Sequence, residues 1–445
     1  MTLCRLSKRL SVATFVAILF SPHALLAEVQ REKSFQVATE SEVLLDLVAT
    51  VPGTSWADKG NEAASARLFL DRRYHQDIIL FRGPREFTYT VMLGRLAPGS
   101  HSVRVEHNRT LSAPRASAPD FKNAQITFLE RSHSEFQALA MAPIIYARRN
   151  TIGRFTDVPL LAWYEIFREP SKITIRYSVL FTNEDGGTQT NALMARWGRT
   201  TDIELIYEAQ LDPQGKLLSQ IFQGKGHANM KFKGKKEADH PLYLVATDNN
   251  MFSDKGRSEM RFALRPIPFD LTHASREEVM FQYPWTYQLA AEEMVREGKI
   301  NETDRVGQRM ADPRHYLYLQ VGARQQGTAM SFAVKLKGDR KWYTSDIGVD
   351  YYRVDRPGYF QTTVRLPAGA APERIERIAV RCDVAGSPRS REEVEKASKA
   401  QCELKDVKRL FMLDERYLPG PLLAVQLPQP LKLQFGDMIE LFQAP

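Results

Sequence analysis

The sequence is poor in cysteine and lacks most of the short motifs by which enzymes are recognised. Its three cysteines form no CxxC pair and no Cys/His cluster, which excludes the common structural zinc sites. The nine histidines include no HExxH pair, and no GxSxG, GxGxxG or Walker sequence occurs. No catalytic residue can therefore be predicted from a local motif.

Long apolar runs are also missing once the N-terminus has been passed, so no membrane span is predicted in the mature chain. The N-terminus itself differs from the rest. Arg5, Lys8 and Arg9 precede a ten-residue apolar block (11–20), and small residues lead up to Ala27. This order is typical of a cleaved signal peptide, residues 1–27, and predicts a secreted or periplasmic protein. An uncleaved anchor is the alternative, for which the apolar block is short.

A concentrated basic stripe is absent as well. Removing residues 1–27 removes three basic residues and no acidic one, so the formal net charge falls from +8 to +5. The remaining bases are mixed with acids, and we therefore expect no nucleic-acid partner. The one dense cluster, "KFKGKK" (231–236), is interpreted as a solvated hairpin tip, with contact to an anionic surface as the alternative.

Two cysteines remain after the signal peptide, Cys382 and Cys402. Two thiols in an oxidising compartment are natural partners, so the sequence predicts a disulfide between them. On the chain-entropy estimate, a loop of about 20 residues would stabilise the fold by roughly 3 kcal/mol. Two free buried thiols are the alternative.

Short strands separated by turns dominate the first part of the chain. The segment "LAPGSHSVRVEHN" (96–108) combines a Pro-Gly turn with valines at period two, and it resembles the late hairpin of many immunoglobulin-like modules. We therefore predict an immunoglobulin-like β-sandwich over residues 28–115. A Ser/Ala/Pro stretch at 109–123 reads as a linker or long loop. A central β-sandwich is predicted to follow over residues 124–268.

Residues 269–312 are rich in helix formers and acids, with Pro284 placed to open a helix that ends near Gly298. This segment is predicted to be a helical connector. Residues 313–445 return to strand-like alternation and form a C-terminal β-rich region. The predicted fold class is mainly β, with two or three antiparallel β-sandwich modules and a short helical connector.

The stretch "RWGRTTDIELIYE" (196–208) carries the strongest candidate site. Strict alternation along a strand places Asp202, Glu204 and Glu208 on one face, which we expect to be the solvated face of a sheet. The alternative is a site. Asp202 and Glu204 would lie about 7 Å apart along the strand, and two carboxylates that close could share calcium or magnesium if other oxygen ligands joined them.

The same region resembles the necrosis- and ethylene-inducing-peptide-like proteins, which are secreted β-sandwiches, over residues 140–260. They share the motif Gly-His-Arg-His-Asp-Trp-Glu, and this chain has "GRTTDIE", which matches at Gly198, Asp202 and Glu204. A related vacuolar-sorting family with a Gly-Asp-Trp-Glu motif has a similar order of segments. The resemblance implies a divalent cation held by Asp202 and Glu204 and, for the toxins of the family, a sphingolipid target.

The positions at which this chain departs from the family motif weaken the prediction of a metal site. The motif's first histidine is replaced by Arg199, which cannot ligate a cation. His227 in "GKGHANM" could supply a nitrogen ligand instead, although a histidine between glycine-rich neighbours is usually a loop residue. The oxygen-rich loop "ATDNNMFSD" offers Asp248, Asn250 and Asp254, and it is interpreted as a polar strand cap rather than a calcium site.

The sequence thus favours an exported, non-catalytic binding or scaffold protein and assigns it no definite cofactor. An enzyme whose polar site converges from distant strands is left open as an alternative. The partner is not specified, and a cell-envelope component, a glycan or a lipid fits. The alternative is a divalent-cation-dependent lectin, toxin-like or hydrolytic protein that uses Asp202, Glu204 and His227 with calcium or magnesium. A cluster of acids around the first two, facing a cleft, would favour the alternative, and a flat solvated face would favour the scaffold.

Overall fold

The computed structural model describes residues 30–443, except residues 185, 187, 304–306, 387–389, 393–394, 396–398, 400 and 426. The predicted signal peptide, 1–27, lies outside the described residues. The chain is mainly β, and its sheets pair into three sandwiches, which confirms the predicted fold class. Within the described part, no helix is both long and apolar enough to span a membrane.

The first sandwich packs a four-stranded sheet against a three-stranded one. Its strands are β1 (Gln30–Val37), β2 (Ser41–Thr50), β3 (Ala64–Leu70), β4 (Arg73–Leu80), β5 (Phe87–Leu96), β6 (Gly99–His107) and β7 (Asp120–Glu130). The sheet orders are β1-β6-β3-β4 and β5-β2-β7, and every pairing is antiparallel. Val43, Leu45 and Leu47 alternate along β2 and are fully buried, as the period of a half-buried strand requires.

The first sandwich extends past the predicted boundary at residue 115. Strand β7 pairs with β2 along its length, from Ser41 opposite Glu130 to Thr50 opposite Asp120. The Ser/Ala/Pro stretch before it, with a short 3-10 turn at Arg109–Leu111, is a loop inside this module rather than a linker between two. Composition marks the loop correctly, but only the pairing shows which sheet the following strand joins.

The central sandwich is built from β8 to β18 and two short helices. Its elements are α1 (Phe136–Ala140), β8 (Ile144–Tyr146), β9 (Pro159–Glu169), β10 (Lys172–Phe181), α2 (Thr190–Trp197), β11 (Asp202–Leu211), β12 (Leu217–Gly224), β13 (Ala228–Lys231), β14 (Lys236–Glu237), β15 (His240–Val245), β16 (Phe252–Ser253), β17 (Arg261–Phe262) and β18 (Pro266–Pro268). One sheet has the order β13-β12-β11-β10-β9-β18 and the other the order β14-β15-β8-β17, with β16 paired to β15. Two pairs are parallel, β15 with β8 and β18 with β9.

The connector consists of α3 (Glu278–Gln282) and α4 (Trp285–Arg296), and α4 begins after Pro284 and ends before Gly298, as predicted. It contacts all three sandwiches. Glu293 accepts a 2.9 Å hydrogen bond from the Trp56 indole of the first sandwich. Phe281 packs edge-on against Phe411 of the third, with ring centroids 5.4 Å apart. The connector is therefore part of a shared core rather than a flexible link.

The third sandwich has two four-stranded antiparallel sheets. Its strands are β19 (Tyr316–Gln325), β20 (Thr328–Leu336), β21 (Trp342–Thr344), β22 (Gly358–Arg365), β23 (Ile375–Val384), β24 (Gln401–Phe411), β25 (Leu431–Gln434) and β26 (Met438–Gln443). The sheet orders are β22-β19-β24-β25 and β21-β20-β23-β26. Cys382 of β23 and Cys402 of β24 form a disulfide, so the bond joins the two sheets through a fully buried core.

Candidate functional site

Four chain segments meet at one end of the central sandwich. They are the start of β11, the loop after β10 (182–189), the 3-10 turn Lys225–His227 and the loop between β15 and β16 (246–251). We call the side chains that they bring together, Glu184, Asp202, Glu204, His227 and Asn250, the acidic pocket. Loops carried by a rigid sandwich are a common place for binding residues.

A β-bulge decides which way the acids of β11 point. Tyr177 of β10 lies opposite Tyr207, but the next residue, Ser178, lies opposite Leu205. Ile206 is therefore an extra residue on β11, and strict alternation of faces is broken there. Both Ile206 and Tyr207 pack in the core of the central sandwich.

The expectation of a solvated acidic face is therefore wrong for Asp202 and Glu204. Their exposed fractions are 3% and 6%, because the bulge puts the start of β11 in phase with the inner face of the sheet. Glu208 is buried as well, so the expectation is also wrong for this residue. It lies beyond the bulge, where its carboxylate pairs with Arg176 at 2.9 Å instead of joining the other two acids.

A hydrogen bond between the carboxyl groups of Asp202 and Glu204 is one of the influences that lower the pKa of Asp202 against the larger effect of burial. A carboxyl–carboxylate contact of this kind needs one proton between the two groups. Burial, and next the charge of Asp202, raises the pKa of Glu204 to about 9, while Arg276 and Arg199 oppose the shift. Burial also raises the pKa of Asp202. The pair therefore shares a proton at neutral pH, because two buried like charges cannot both ionise without a counter-charge.

Glu184 is the third acid of the pocket, and sequence reasoning did not single it out. It is partly buried in the loop after β10, and burial, followed by the charge of Asp202, raises its pKa to about 7. The signal available in the sequence was only "NEDGG", which reads as a turn. Its place beside Asp202 depends on the pairing of β10 with β11, which brings Phe181 opposite Asp202.

Asn250 is fully buried at the floor of the pocket. Its side-chain amide donates to Oδ2 of Asp202 at 2.9 Å and to the main-chain oxygen of Asn183 at 3.2 Å. Its own Oδ1 is buried, and no hydrogen-bond donor reaches it from the residues described. A buried amide oxygen without a donor is costly, and it is also the kind of atom that a hard cation accepts as a ligand.

His227 lies at the mouth of the pocket. Its Nδ1 is 3.8 Å from Oε2 of Glu204, and about half of its side chain is exposed. The amide of Asn249 links it to the third acid, with the oxygen accepting from His227 Nε2 at 3.2 Å and the nitrogen donating to Glu184 Oε1 at 3.0 Å. The structure thus brings together all three residues predicted for the metal alternative, Asp202, Glu204 and His227.

The side chains do not form a ready coordination shell. In the described part of the chain, no group of three or more His, Cys, Asp or Glu residues is arranged as it stands to hold a metal ion. Arg199, which replaces the first histidine of the family motif, is buried and forms a 3.0 Å ion pair with Glu277 beside α3. Its role is structural, since it fastens the site to the connector.

The oxygen-rich loop does not act as one group. Asp248 pairs with Arg148, and Asp254 accepts a 2.7 Å hydrogen bond from the main-chain N–H of Lys233. Asn250 alone turns inward to Asp202. The three oxygen-bearing residues thus have separate partners, as a polar strand cap would.

Comparisons with known proteins add little to this geometry. No family model matches the chain, and no curated protein sequence matches it. Among solved structures, the C-terminal domain of EclA, a sugar-binding protein, matches part of this chain at 16% identity and a TM-score of 0.17. The match covers 22% of this chain and 66% of the length of that one. A likeness at this level says nothing about the ligand of this protein.

Proposed function

We propose that this is an exported, non-catalytic binding protein whose acidic pocket takes up a divalent cation, calcium or magnesium. The observation that supports it is the buried pair of Asp202 and Glu204, hydrogen-bonded to each other and next to the unsatisfied oxygen of Asn250. A cluster of acids facing a cleft was expected to favour the cation-dependent alternative over a plain scaffold, and the cluster is the part of that feature on which the proposal rests. Asp202 and Glu204 are buried, so they do not lie on a flat solvated face.

The cation takes the place of the shared proton. With the proton gone, the pair carries two negative charges in a buried place, which the charges of Arg199 and Arg276 offset in part. A hard divalent cation neutralises both charges and accepts carboxylate and amide oxygens as ligands. Glu184 and the oxygen of Asn250 can complete an oxygen set, and His227 stands at the entrance.

The geometry supports binding better than hydrolysis. Glycoside hydrolases use two carboxyl groups held about 5–9.5 Å apart so that the sugar or a water fits between them. Here the carboxyl groups of Asp202 and Glu204 influence each other's pKa through a hydrogen bond, an arrangement closer than the spacing in those enzymes. A cation held at this place would instead order the four chain segments around it. The ligand that we propose for those segments is a glycan or lipid head group of the cell envelope.

The location is part of the same proposal. The N-terminal sequence has the order of a signal peptide, and the buried disulfide fits an oxidising compartment. Both features support export to the periplasm or the cell exterior.

Thermal unfolding in calcium, in magnesium and in a chelator tests the proposal. A ligand bound only by the folded state stabilises it by about 2.7 kcal/mol at a hundred times its dissociation constant. We expect a cation-dependent rise in midpoint for the natural chain and none for Asp202→Asn combined with Glu204→Gln. The control is Asp120→Asn with Glu130→Gln, which makes the same changes at exposed positions of β7. Equal midpoints in all conditions would leave the scaffold function.

A further inference from the structure

A second candidate site lies away from the acidic pocket, between the first and central sandwiches. It is a groove of about 520 Å³, lined by parts of β4, β5, β9 and β18 and by the start of the connector. Its apolar wall is formed by half-buried side chains: Phe87, Leu161, Leu264, Ile267, Tyr283 and Trp285. A volume of this size is within the range of ligand sites in proteins.

One wall of the groove is the outer edge of β5, which is the outermost strand of its sheet. The chain at 263–265 is docked on this edge. Met92 donates its main-chain N–H to the oxygen of Ala263 at 2.7 Å, and Val91 and Leu264 form an antiparallel bridge. The main-chain oxygen of Thr90 accepts a longer contact, 3.5 Å, from Arg265.

The docked segment then leaves the edge. After Arg265 the chain turns to β9, with which β18 pairs in parallel. Main-chain groups alternate sides along an antiparallel strand, so Thr88 points the same way as Thr90 and Met92, away from β2 and into the groove. In the part of the chain that the structure describes, no strand pairs with Thr88 on this side. Its N–H and C=O have no main-chain partner among the described residues on this side, and Thr88 itself is exposed.

The opposite wall cannot serve as a pairing edge. Strand β18 contains Pro266 and Pro268, and proline has no main-chain N–H to donate. The two walls are therefore unlike. One offers main-chain hydrogen bonds, and the other offers apolar side chains.

We propose that this groove binds a short extended peptide segment of a partner protein, with apolar side chains at alternate positions. The segment pairs antiparallel with β5 at Thr88 and so continues the line of the docked segment 263–265. The apolar side chains of the bound segment pack against the wall formed by Leu161, Ile267 and Trp285. This is strand addition to an exposed sheet edge, in which main-chain bonds and side-chain pockets act together.

The open main-chain groups decide between a peptide and a hydrocarbon chain. A lipid tail would fill the apolar wall equally well, but it would cover the N–H and C=O of Thr88 without replacing the hydrogen bonds that these groups make to water. Burying polar groups without partners is unfavourable. A peptide supplies the acceptor and the donor that the edge lacks.

Fluorescence anisotropy with the purified protein tests this proposal. The probe is a fluorescein-labelled, capped pentapeptide of alternating valine and threonine. We expect saturable binding, at least tenfold weaker for the same peptide with N-methylated amides. Thr88→Pro, which removes the N–H, should also weaken binding at least tenfold. The matched control Thr88→Val keeps the N–H and loses only the hydroxyl, so its affinity should equal that of the natural chain.

Amide hydrogen exchange keeps the test decisive if Thr88→Pro lowers the stability of β5. In the natural chain, the peptide should slow exchange at Thr88 and Thr90. The proposal is overturned if the probe does not bind, if N-methylation leaves its affinity unchanged, or if the bound probe does not slow exchange at these amides. None of these outcomes involves calcium, so failure here is distinguishable from failure of the acidic pocket.

Discussion

The side-chain amide of Asn250 donates a 2.9 Å hydrogen bond to Asp202, although 48 residues separate them in sequence. The bond fixes the orientation of the amide and leaves its oxygen in the pocket without a donor from the residues described. Asp202 in turn is hydrogen-bonded to Glu204. A chain of three buried polar groups therefore ends in an unsatisfied acceptor, and this arrangement is the basis of the proposed cation site.

The first prediction concerns pH without a cation. Because the pKa of Glu204 in the folded protein is about 9, against an ordinary value of 4.5, the folded chain keeps a proton that the unfolded chain releases. The stability that the folded protein gains from this bound proton is fully present below pH 4.5 and is lost as the pH rises towards 9. In chelator, the melting temperature should fall over this window. Circular dichroism melts between pH 5 and 9 measure it.

The Glu204→Gln variant should be more stable than the natural chain at high pH. Glutamine is neutral at every pH and imitates the protonated acid, so the variant should melt close to the natural chain at pH 5 and above it at pH 8.5, both in chelator. Glu403→Gln, at a half-buried position on β24, is the control for a simple loss of charge. A variant that melts below the natural chain at pH 8.5 would mean that the carboxylate is satisfied where it lies.

Arg199 should contribute strongly to the stability of the fold. Its guanidinium and the carboxylate of Glu277 are both buried and 3.0 Å apart, so Arg199→Met leaves a buried charge without its partner. Such a loss typically costs about 3–5 kcal/mol, whereas replacing both partners by apolar residues is often neutral. Urea unfolding should therefore show a large loss for Arg199→Met, mostly restored when Glu277→Leu is added. If adding Glu277→Leu does not restore stability, the loss does not come from the unpaired carboxylate. It would then come from another contact of Arg199, for instance the one with the main-chain oxygen of Thr201.

The disulfide should stabilise the third sandwich. Cys382 and Cys402 are 20 residues apart, and closing a loop of this length is worth about 3 kcal/mol on the chain-entropy model. Changing both to alanine should lower the urea midpoint by a corresponding amount, with the acidic pocket left intact. Calcium binding by the double variant, measured in parallel, checks that the two regions are independent. An unchanged midpoint would show that the buried packing of β23 and β24 suffices.

Much of the fold follows from local patterns. The alternation in β2 and the turn signals predict sandwiches, and Pro284 with Gly298 predicts the limits of α4. Two cysteines left after a predicted signal peptide are enough to predict their pairing, and the structure contains this disulfide. Each of these inferences depends on neighbours in sequence or on counting, which is why the sequence suffices.

The site could be predicted only in part. Asp202, Glu204 and His227 were identified by residue type, but their surroundings depend on strand register. One extra residue, Ile206, changes the face of the sheet that the acids occupy, and no composition rule locates such a bulge. Glu184 and Asn250 reach the pocket from distant loops, so their roles appear only after the sandwich has been assembled.

The most direct test of the account is calorimetric titration with calcium, and then with magnesium, at pH 7.5 in two buffers of different ionisation enthalpy. If the cation replaces the proton shared by Asp202 and Glu204, binding releases about one proton, and the observed heat differs between the buffers. The same titration of Asp202→Asn with Glu204→Gln should give no binding heat. Binding with the same heat in both buffers, or no binding by the natural chain, would contradict the account.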